Sequence, residues 1–273
     1  PTHKATQQSD CGILLKTISL GSFQEPVQYA HRDDYYIFGI VENGHCCISI
    51  DFKNYTISDH EILCVQPGQV HRVVDTGNAI LFIDSVFIDA PDKQILSEYA
   101  LSVAPFRIND LQFNELEQIF SIISRNINIP ESSRTKRIVQ DLSRAATGII
   151  IDNIQNIICR QLKSRRQIEI TLALKKLLSE DSHINRRPSY YAQLLHVSPV
   201  YLNEVVKNIT GTTASKYIQD EIILRAKRML IYTTLSIKEI AFDLGFDDHT
   251  YFTRLFTQTA GLTPTTYRKK YLE

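Results

Sequence analysis

The chain lacks most of what would mark a secreted scaffold, a membrane protein or an enzyme built around a short motif. Among 273 residues there are five cysteines, Cys11, Cys46, Cys47, Cys64 and Cys159. They make no C-x-x-C pair and no His/Cys zinc spacing, so neither a structural zinc site nor a thioredoxin-like motif is expected. An odd, scattered set predicts small packed hydrophobes in a reducing cytoplasm. A redox switch through adjacent Cys46 and Cys47 is the alternative, although strand alternation would send their side chains to opposite faces. No apolar run nears the roughly 18 residues that span a bilayer, and no cleavable signal pattern opens the chain. The first residue is Pro1 rather than Met, which predicts a trimmed start. Walker loops and strand-linked G-x-S-x-G are absent, so no independent catalytic centre is expected, and no cofactor. An excess of one charge is lacking as well, with 30 Lys and Arg against 30 Asp and Glu.

What is present suits a folded protein of two domains: 43% hydrophobic and 22% charged residues over a length beyond one average domain. The charge is divided unevenly. Residues 1–165 carry 15 Lys and Arg against 19 Asp and Glu, a net of −4, and residues 166–273 carry 15 against 11, a net of +4. A basic C-terminal part is weakly suggestive of a polyanion partner.

The first ninety residues predict β structure in the short runs 14–20, 27–31, 35–41, 46–51, 62–65, 70–75 and 80–87, rich in Val, Ile, Tyr and Phe. Asn43-Gly44 predicts a type I′ hairpin turn, and Pro67-Gly68 and Gly77-Asn78 predict further turns. Strands at this spacing suggest a sandwich or barrel. Helical periodicity follows Pro91, in 111–126 and 134–163, where Ile138, Leu142, Ala145 and Ile149 and then Ile150, Ile154, Ile157, Ile158 and Leu162 recur three and four apart. That stripe is broader than one packed face requires. One side would cover the β structure and the other would meet a second copy of the chain; a purely intramolecular helix pair is the alternative. The polar run Lys163-Ser164-Arg165-Arg166-Gln167 predicts a linker.

From Glu169 the chain predicts only helices. Ser189 is expected to cap the helix over 190–195, Ser198-Pro199 to open the next, and Thr213 to begin a long helix ending near Tyr232. Ser236, Asp248 and Thr263-Pro264 are expected to cap three more. These segments repeat with a period of fifty residues. Tyr201-Leu202 aligns with Tyr251-Phe252, Val205-Val206 with Leu255-Phe256, Gly211 with Gly261, Thr213 with Thr263 and Tyr217 with Tyr267. With a slip of one, Ala192, Leu195 and Val197 match Ala241, Leu244 and Phe246. Each copy is a short helix, a tight turn, a second helix, a glycine stop and a capped third helix, which is the layout of a helix-turn-helix. The small alanine lets the second helix approach closely. Gly245 falls where the turn needs a left-handed residue, and His196 holds that place in the first copy. A repeated packing unit with no nucleic-acid role is the alternative.

Residues 169–273 resemble the AraC/XylS-type DNA-binding domain over its full length. The match is clearest in Ser236-Ile237-x-x-Ile240-Ala241-x-x-x-Gly245-Phe246, in Tyr251-Phe252-x-Arg254-x-Phe256, and in Gly261-x-Thr263-Pro264-x-x-Tyr267-Arg268. The resemblance implies two recognition helices entering successive major grooves on one face of double-stranded DNA. A joining helix of about twenty residues would span roughly 30 Å, close to the ~34 Å turn of B-DNA.

Helical geometry assigns the outward residues. With Phe252, Leu255 and Phe256 inward, His249, Thr250, Thr253, Arg254 and Thr257 face outward. The short polar groups suit base edges, and Arg254 suits guanine or a phosphate; the family's positions support the same set. With Leu202, Val205 and Val206 inward in the first copy, Val200, Asn203, Glu204 and Lys207 face outward. Asn203 would pair with adenine, and Lys207 would meet a phosphate. Glu204 departs from the family, where this position is commonly basic. It would accept from cytosine N4 or weaken this unit through phosphate repulsion.

The β region is similar to the cupin-like sensor of sugar-responsive AraC-type regulators, through His31-Arg32-Asp33, Ile37, Gly44 and Pro67-Gly68-Gln69-Val70-His71. A metal-binding cupin would present a second His where Asp33 stands and a Glu where Ile37 stands. The expectation is therefore a pocket without metal that binds a small-molecule effector, a sugar being the class the resemblance suggests, through His31, Asp33, Tyr35, Ile37 and His71. The alternatives are a facial metal triad and histidines that merely fill the core.

The expected fold class is α+β in two domains: a cupin-like β-barrel with a helical dimerisation region over 1–162, a linker over 163–168, and an all-α domain of two helix-turn-helix units joined by a long helix over 169–273. The expected function is a sequence-specific, effector-responsive transcriptional activator, cytoplasmic and not an enzyme. Its expected partners are DNA, the effector, RNA polymerase and a second copy of itself, with no membrane. A metal-dependent cupin enzyme with a helical tail, and a constitutive DNA-binding protein whose barrel only dimerises, are the rival readings.

Overall fold

The computed structural model describes residues 2–3, 13–18, 31–84, 88–127, 133–160, 164–180, 185 and 187–272. The chain divides into two compact units, 1–161 and 162–273. Cys11, the expected strand residues 27–30 and 85–87, and Lys163 lie outside the described residues.

The first unit is built on a sheet of eight strands among the described residues: β1 (Thr2–His3), β2 (Ile13–Ile18), β3 (His31–Asp33), β4 (Tyr36–Ile50), β5 (Lys53–Ser58), β6 (Glu61–Val65), β7 (Val70–Asp84) and β8 (Phe106–Arg107). Their order is β1-β3-β7-β4-β6-β8, with β2 also on β7 and β5 also on β4. All neighbouring pairs are antiparallel except β1 with β3. Two of the strands are longer than expected, because β4 and β7 each run for 15 residues through a predicted turn and so merge pairs of predicted runs. Asn43 pairs with Asn78, and the β4–β7 register shifts on both sides of Asn43. Asn43-Gly44 and Gly77-Asn78 thus lie at one level of a single ladder. Gly44, at φ 94°, relieves a bulge there, where the sequence predicts a hairpin. Bulges bend and twist a strand, which lets two long strands curl without ending.

The two-residue hairpin lies instead at Asp51-Phe52, both at positive φ (48° and 67°), between paired Ile50 and Lys53. No glycine marks it. The Asp51 carboxylate accepts from Val70 N–H (3.1 Å) and Gln69 Nε2 (3.0 Å), which holds a residue type that tolerates this backbone. Pro67-Gly68 turns as expected, with Gly68 at φ 80° and Gln69 N–H on Gln66 O at 3.1 Å. Cys46 is buried and Cys47 half-buried, on alternate faces of β4.

Three helices complete this unit: α1 (Ala90–Tyr99), α2 (Asp110–Ile127) and α3 (Ser133–Arg160). Phe113, Leu116, Phe120 and Ile123 of α2 and Val139, Ala146, Ile150, Ile151 and Ile154 of α3 join the sheet's Phe38, Ile40, Ile62 and Leu63 in one core. Each buried side chain of this size contributes about 1.5–3 kcal/mol. The α3 stripe is as broad as expected. One face is buried, Leu142 and Ile149 are half-buried at the edge of the same core, and Ile138 and Ala145 are exposed.

The second unit is all helix among the described residues: α4 (Arg165–Glu180), α5 (Pro188–Leu194), α6 (Pro199–Thr210), α7 (Ala214–Tyr232), α8 (Ile237–Asp243), α9 (His249–Ala260) and α10 (Pro264–Leu272). Residues 165–168, expected in a linker, form the first turn of α4 because Ile168 is buried in this unit. Helix α5 begins at Pro188 rather than at Ser189, since proline suits the first turn. Among the described residues no helix is long and apolar enough to cross a membrane.

Candidate nucleic-acid interface

Both repeats fold alike, down to individual hydrogen bonds. In the first, Val197 N–H reaches Ala192 O (2.9 Å) and His196 N–H reaches Gln193 O (3.1 Å); in the second, Phe246 reaches Ala241 O (2.9 Å) and Gly245 reaches Phe242 O (2.9 Å). These are the two bonds of a Schellman stop, which requires one left-handed residue. His196 (φ 53°) and Gly245 (φ 80°) supply it, as the sequence predicts. Ala192 and Ala241 are buried at the close approach. The second helix of each repeat is capped at the equivalent position: Ser198 Oγ accepts from Tyr201 N–H (3.1 Å) and an Asp248 carboxylate oxygen from Thr250 N–H (2.8 Å). The Thr250 N–H beside it holds the Asp248 carboxyl below the usual carboxylate range. Gly211 and Gly261 end both helices in the left-handed region.

Helix α6 buries Leu202, Val205, Val206 and Ile209, and helix α9 buries Phe252 and Phe256. Leu255, expected fully inward, is half-buried. On the outer side of α9, His249, Thr250 and Arg254 are exposed, and Thr253 and Thr257 half-buried. Thr253 Oγ donates to His249 O (2.9 Å) and Thr257 Oγ to Thr253 O (2.7 Å). With their protons turned into the helix, these hydroxyls offer lone pairs outward and suit donors such as an exocyclic amine.

On the outer side of α6, Glu204 and Lys207 are exposed and Val200 is 79% exposed. Asn203 departs from expectation. It is half-buried, and its amide oxygen accepts from Ala214 N–H at 3.1 Å, at the start of α7. Reading adenine takes both the oxygen and the nitrogen of such an amide, and here the oxygen already holds a backbone N–H, which ties the side chain toward α7. The equivalent pair in the second repeat is Thr253 and Pro264, and proline has no N–H to give.

Helix α7 joins the repeats. Its 19 residues span roughly 28 Å at 1.5 Å each. Two ties to the second repeat had no sequence signal. Gln219 Nε2 donates to Thr259 Oγ on α9 (3.2 Å). The Arg268 guanidinium donates to Leu230 O in the last turn of α7 (3.0 Å) and to Leu235 O in the segment leading to α8 (2.6 Å). Arg268 belongs to the sequence motif, but its role emerges only from a fork that fits two carbonyls.

In the first unit, β3 and β7 bring His31 opposite His71. The His31 side chain lies outside what is described. Asp33 and His71 are buried together, with His71 Nε2 3.3 Å from an Asp33 carboxylate oxygen and His71 Nδ1 3.2 Å from Gln69 O. Tyr35 and Ile37 are also buried, within the hydrophobic core. The structure thus joins Asp33 to His71 and sets Tyr35 and Ile37 among apolar neighbours.

Comparison with known proteins places these two units. Residues 21–91 match an AraC-like ligand-binding domain and residues 191–270 a helix-turn-helix domain. This chain belongs to the AraC family of DNA-binding transcriptional regulators. It is 27% identical over 270 residues to the transcriptional activator RhaR of Mannheimia succiniciproducens, covering 94% of this chain and 92% of that one. It is 26% identical over 276 residues to the activator RhaS of Escherichia fergusonii, covering 91% and 88%. An HTH-type regulator of Bacillus subtilis, YfiF, is 26% identical over 258 residues, covering 88% and 79%. The chain is an effector-responsive regulator with an α+β fold in two domains: a curled sheet of the ligand-binding type, and a helical DNA-binding unit.

Proposed function

We propose that this AraC-family regulator is a transcriptional activator that binds a split operator as a homodimer and is not an enzyme. Helices α6 and α9 enter successive major grooves, and the α3 stripe of Ile138, Leu142, Ala145 and Ile149 meets a second copy. The observation that carries the DNA reading is the positional equivalence of the two helix faces, Val200, Glu204 and Lys207 against Thr250, Arg254 and Thr257, with half-buried Asn203 and Thr253 at matching places, on helices fixed by identical turns. His249 lies at the start of α9, beside them. A joining helix of roughly 28 Å is matched to one turn of DNA, about 34 Å. Arg254 supplies a fork for guanine or phosphate, Lys207 a phosphate contact, and the threonines acceptors for base amines. Activation implies contact with RNA polymerase, and the setting is the cytoplasm.

The effector pocket is proposed around His31, Asp33, Tyr35, Ile37 and His71. A carboxylate facing an imidazole offers an acceptor and a donor to a small polyhydroxylated compound, with apolar walls from Tyr35 and Ile37. Such a compound shifts occupancy only if it binds one arrangement of the protein more tightly than another. Screening sugars and aromatic acids by thermal shift tests this, since a ligand at 100 times its Kd stabilises by about 2.7 kcal/mol.

The deciding experiment selects bound duplexes from a random pool with the full chain and measures their affinity at two salt concentrations. The expected result is a split site with halves about ten base pairs apart, weakened steeply by salt. No enrichment, with or without candidate effectors, would overturn the reading.

A further inference from the structure

The two outward surfaces differ in chemistry as well as in sequence. Val200, at the second position of α6, is 79% exposed, the most exposed of the large hydrophobic side chains among the described residues. Nothing in its own unit covers it. An apolar side chain held in water at the N-terminal end of a recognition helix stands where base edges are met. Glu204 follows four residues later on the same face and is also exposed. Between them Asn203 turns inward, its amide oxygen engaged by Ala214 N–H at 3.1 Å. This helix therefore lacks a side chain suited to guanine: there is no guanidinium as at Arg254, and Lys207 lies two turns from the N-terminal end.

The geometry points to Val200 as the specificity-determining residue of the first repeat, reading the 5-methyl group of a thymine, with Glu204 accepting from an exocyclic amine beside it. This rests on the split-operator reading above. The major groove offers an apolar side chain only one specific partner, the thymine methyl. A carboxylate there accepts only from cytosine N4 or adenine N6, the base donors on that edge. An A·T pair presents both, so one Val–Glu face four residues apart recognises A·T and rejects G·C at its centre. The second repeat has Thr250 at the Val200 position and Arg254 at the Glu204 position, and so tolerates guanine. The two halves of the operator are unlike, although the helices that read them are copies.

Uracil in place of thymine removes the methyl and leaves both pairing edges intact. With the full chain and the enriched duplex, each thymine of both halves is replaced singly and the Kd measured. One thymine in one half is expected to lose about fourfold on replacement, the worth of one buried methyl-sized group. Val200→Ala is expected to bind the thymine and uracil forms of that position alike, and to leave uracil sensitivity in the other half unchanged. The exposed position keeps folding intact, which an unchanged melting temperature checks. Indifference of the unmodified protein to uracil at every thymine, a half-site without thymine, or discrimination that survives in Val200→Ala each overturns the inference. All three leave a split operator standing, whereas a failure to enrich any sequence removes the reading beneath it.

Discussion

Around its recognition helix the first helix-turn-helix repeat packs Leu202, Val205, Val206 and Ile209, whereas the second packs Phe246, Phe252, Phe256 and Tyr267. In the second the rings form a chain, with centroids 5.2 Å apart from Phe246 to Phe252, 5.9 Å to Phe256 and 5.4 Å to Tyr267. The backbones nonetheless match, in the same left-handed turn residue, the same cap position and the same glycine stop. The difference teaches that the turn and caps hold the helix-turn-helix, while core chemistry and outward chemistry vary independently. A repeated fold does not entail a repeated reading head.

The largest effect is expected in that aromatic chain. Phe252→Ala should destabilise the helical unit, through its second repeat, by about 3–5 kcal/mol, measured by urea unfolding. A loss no greater than that of Leu202→Ala would show that the rings add nothing beyond their volume. Next, Arg254→Ala should weaken operator binding by about 1–3 kcal/mol, while Glu204→Ala should cost less, because the lost acceptor is partly offset by relief of phosphate repulsion and non-specific binding tightens. Glu204→Arg should steepen the salt dependence by about one phosphate contact. Equal losses at Arg254 and Glu204 would break the comparison. A smaller, opposed pair follows at the turn. Gly245→Ala should cost about 1–2 kcal/mol and His196→Gly should gain somewhat less, because only an L side chain strains this backbone. Thermal melts of both variants check the sign.

The smallest effect concerns pH. Hydrogen bonds from Thr250 hold the Asp248 carboxyl low, and bonds from Ser236 do the same for Glu239. Folded values below unfolded ones mean that the caps stabilise above the ordinary carboxylate range and are lost as pH falls through the folded values. Ser198, at the equivalent place in the first repeat, does not titrate. Asp248→Ser should therefore flatten the acid limb of stability without removing the cap; an unchanged slope below about pH 5 would show the carboxylate to be immaterial.

The helical unit was legible in the sequence because its determinants are local. Ser198, Thr213, Ser236 and Asp248 sit within three residues of the N–H groups they accept from, and the inward positions follow from a 3.6-residue period. The β region was less legible. Asn43-Gly44 has the composition of a hairpin turn, yet β4 runs through it, because the decision lies with Asn78 across the ladder. The true turn, Asp51-Phe52, is held by Gln69 and Val70, eighteen and nineteen residues away. Strand β5, polar and at the edge, carries too little apolar alternation to be seen.

By itself the sequence determined the repeat, its caps, its left-handed turn residues, its two-domain plan and the family, since each is written in neighbours along the chain. Only the tertiary structure decided that Asn203 serves the start of α7, that Arg268 closes its end, and that His71 meets Asp33. Each of those pairs joins residues between eleven and thirty-eight positions apart. A buried polar atom takes whichever partner the fold delivers, and no local pattern encodes that delivery.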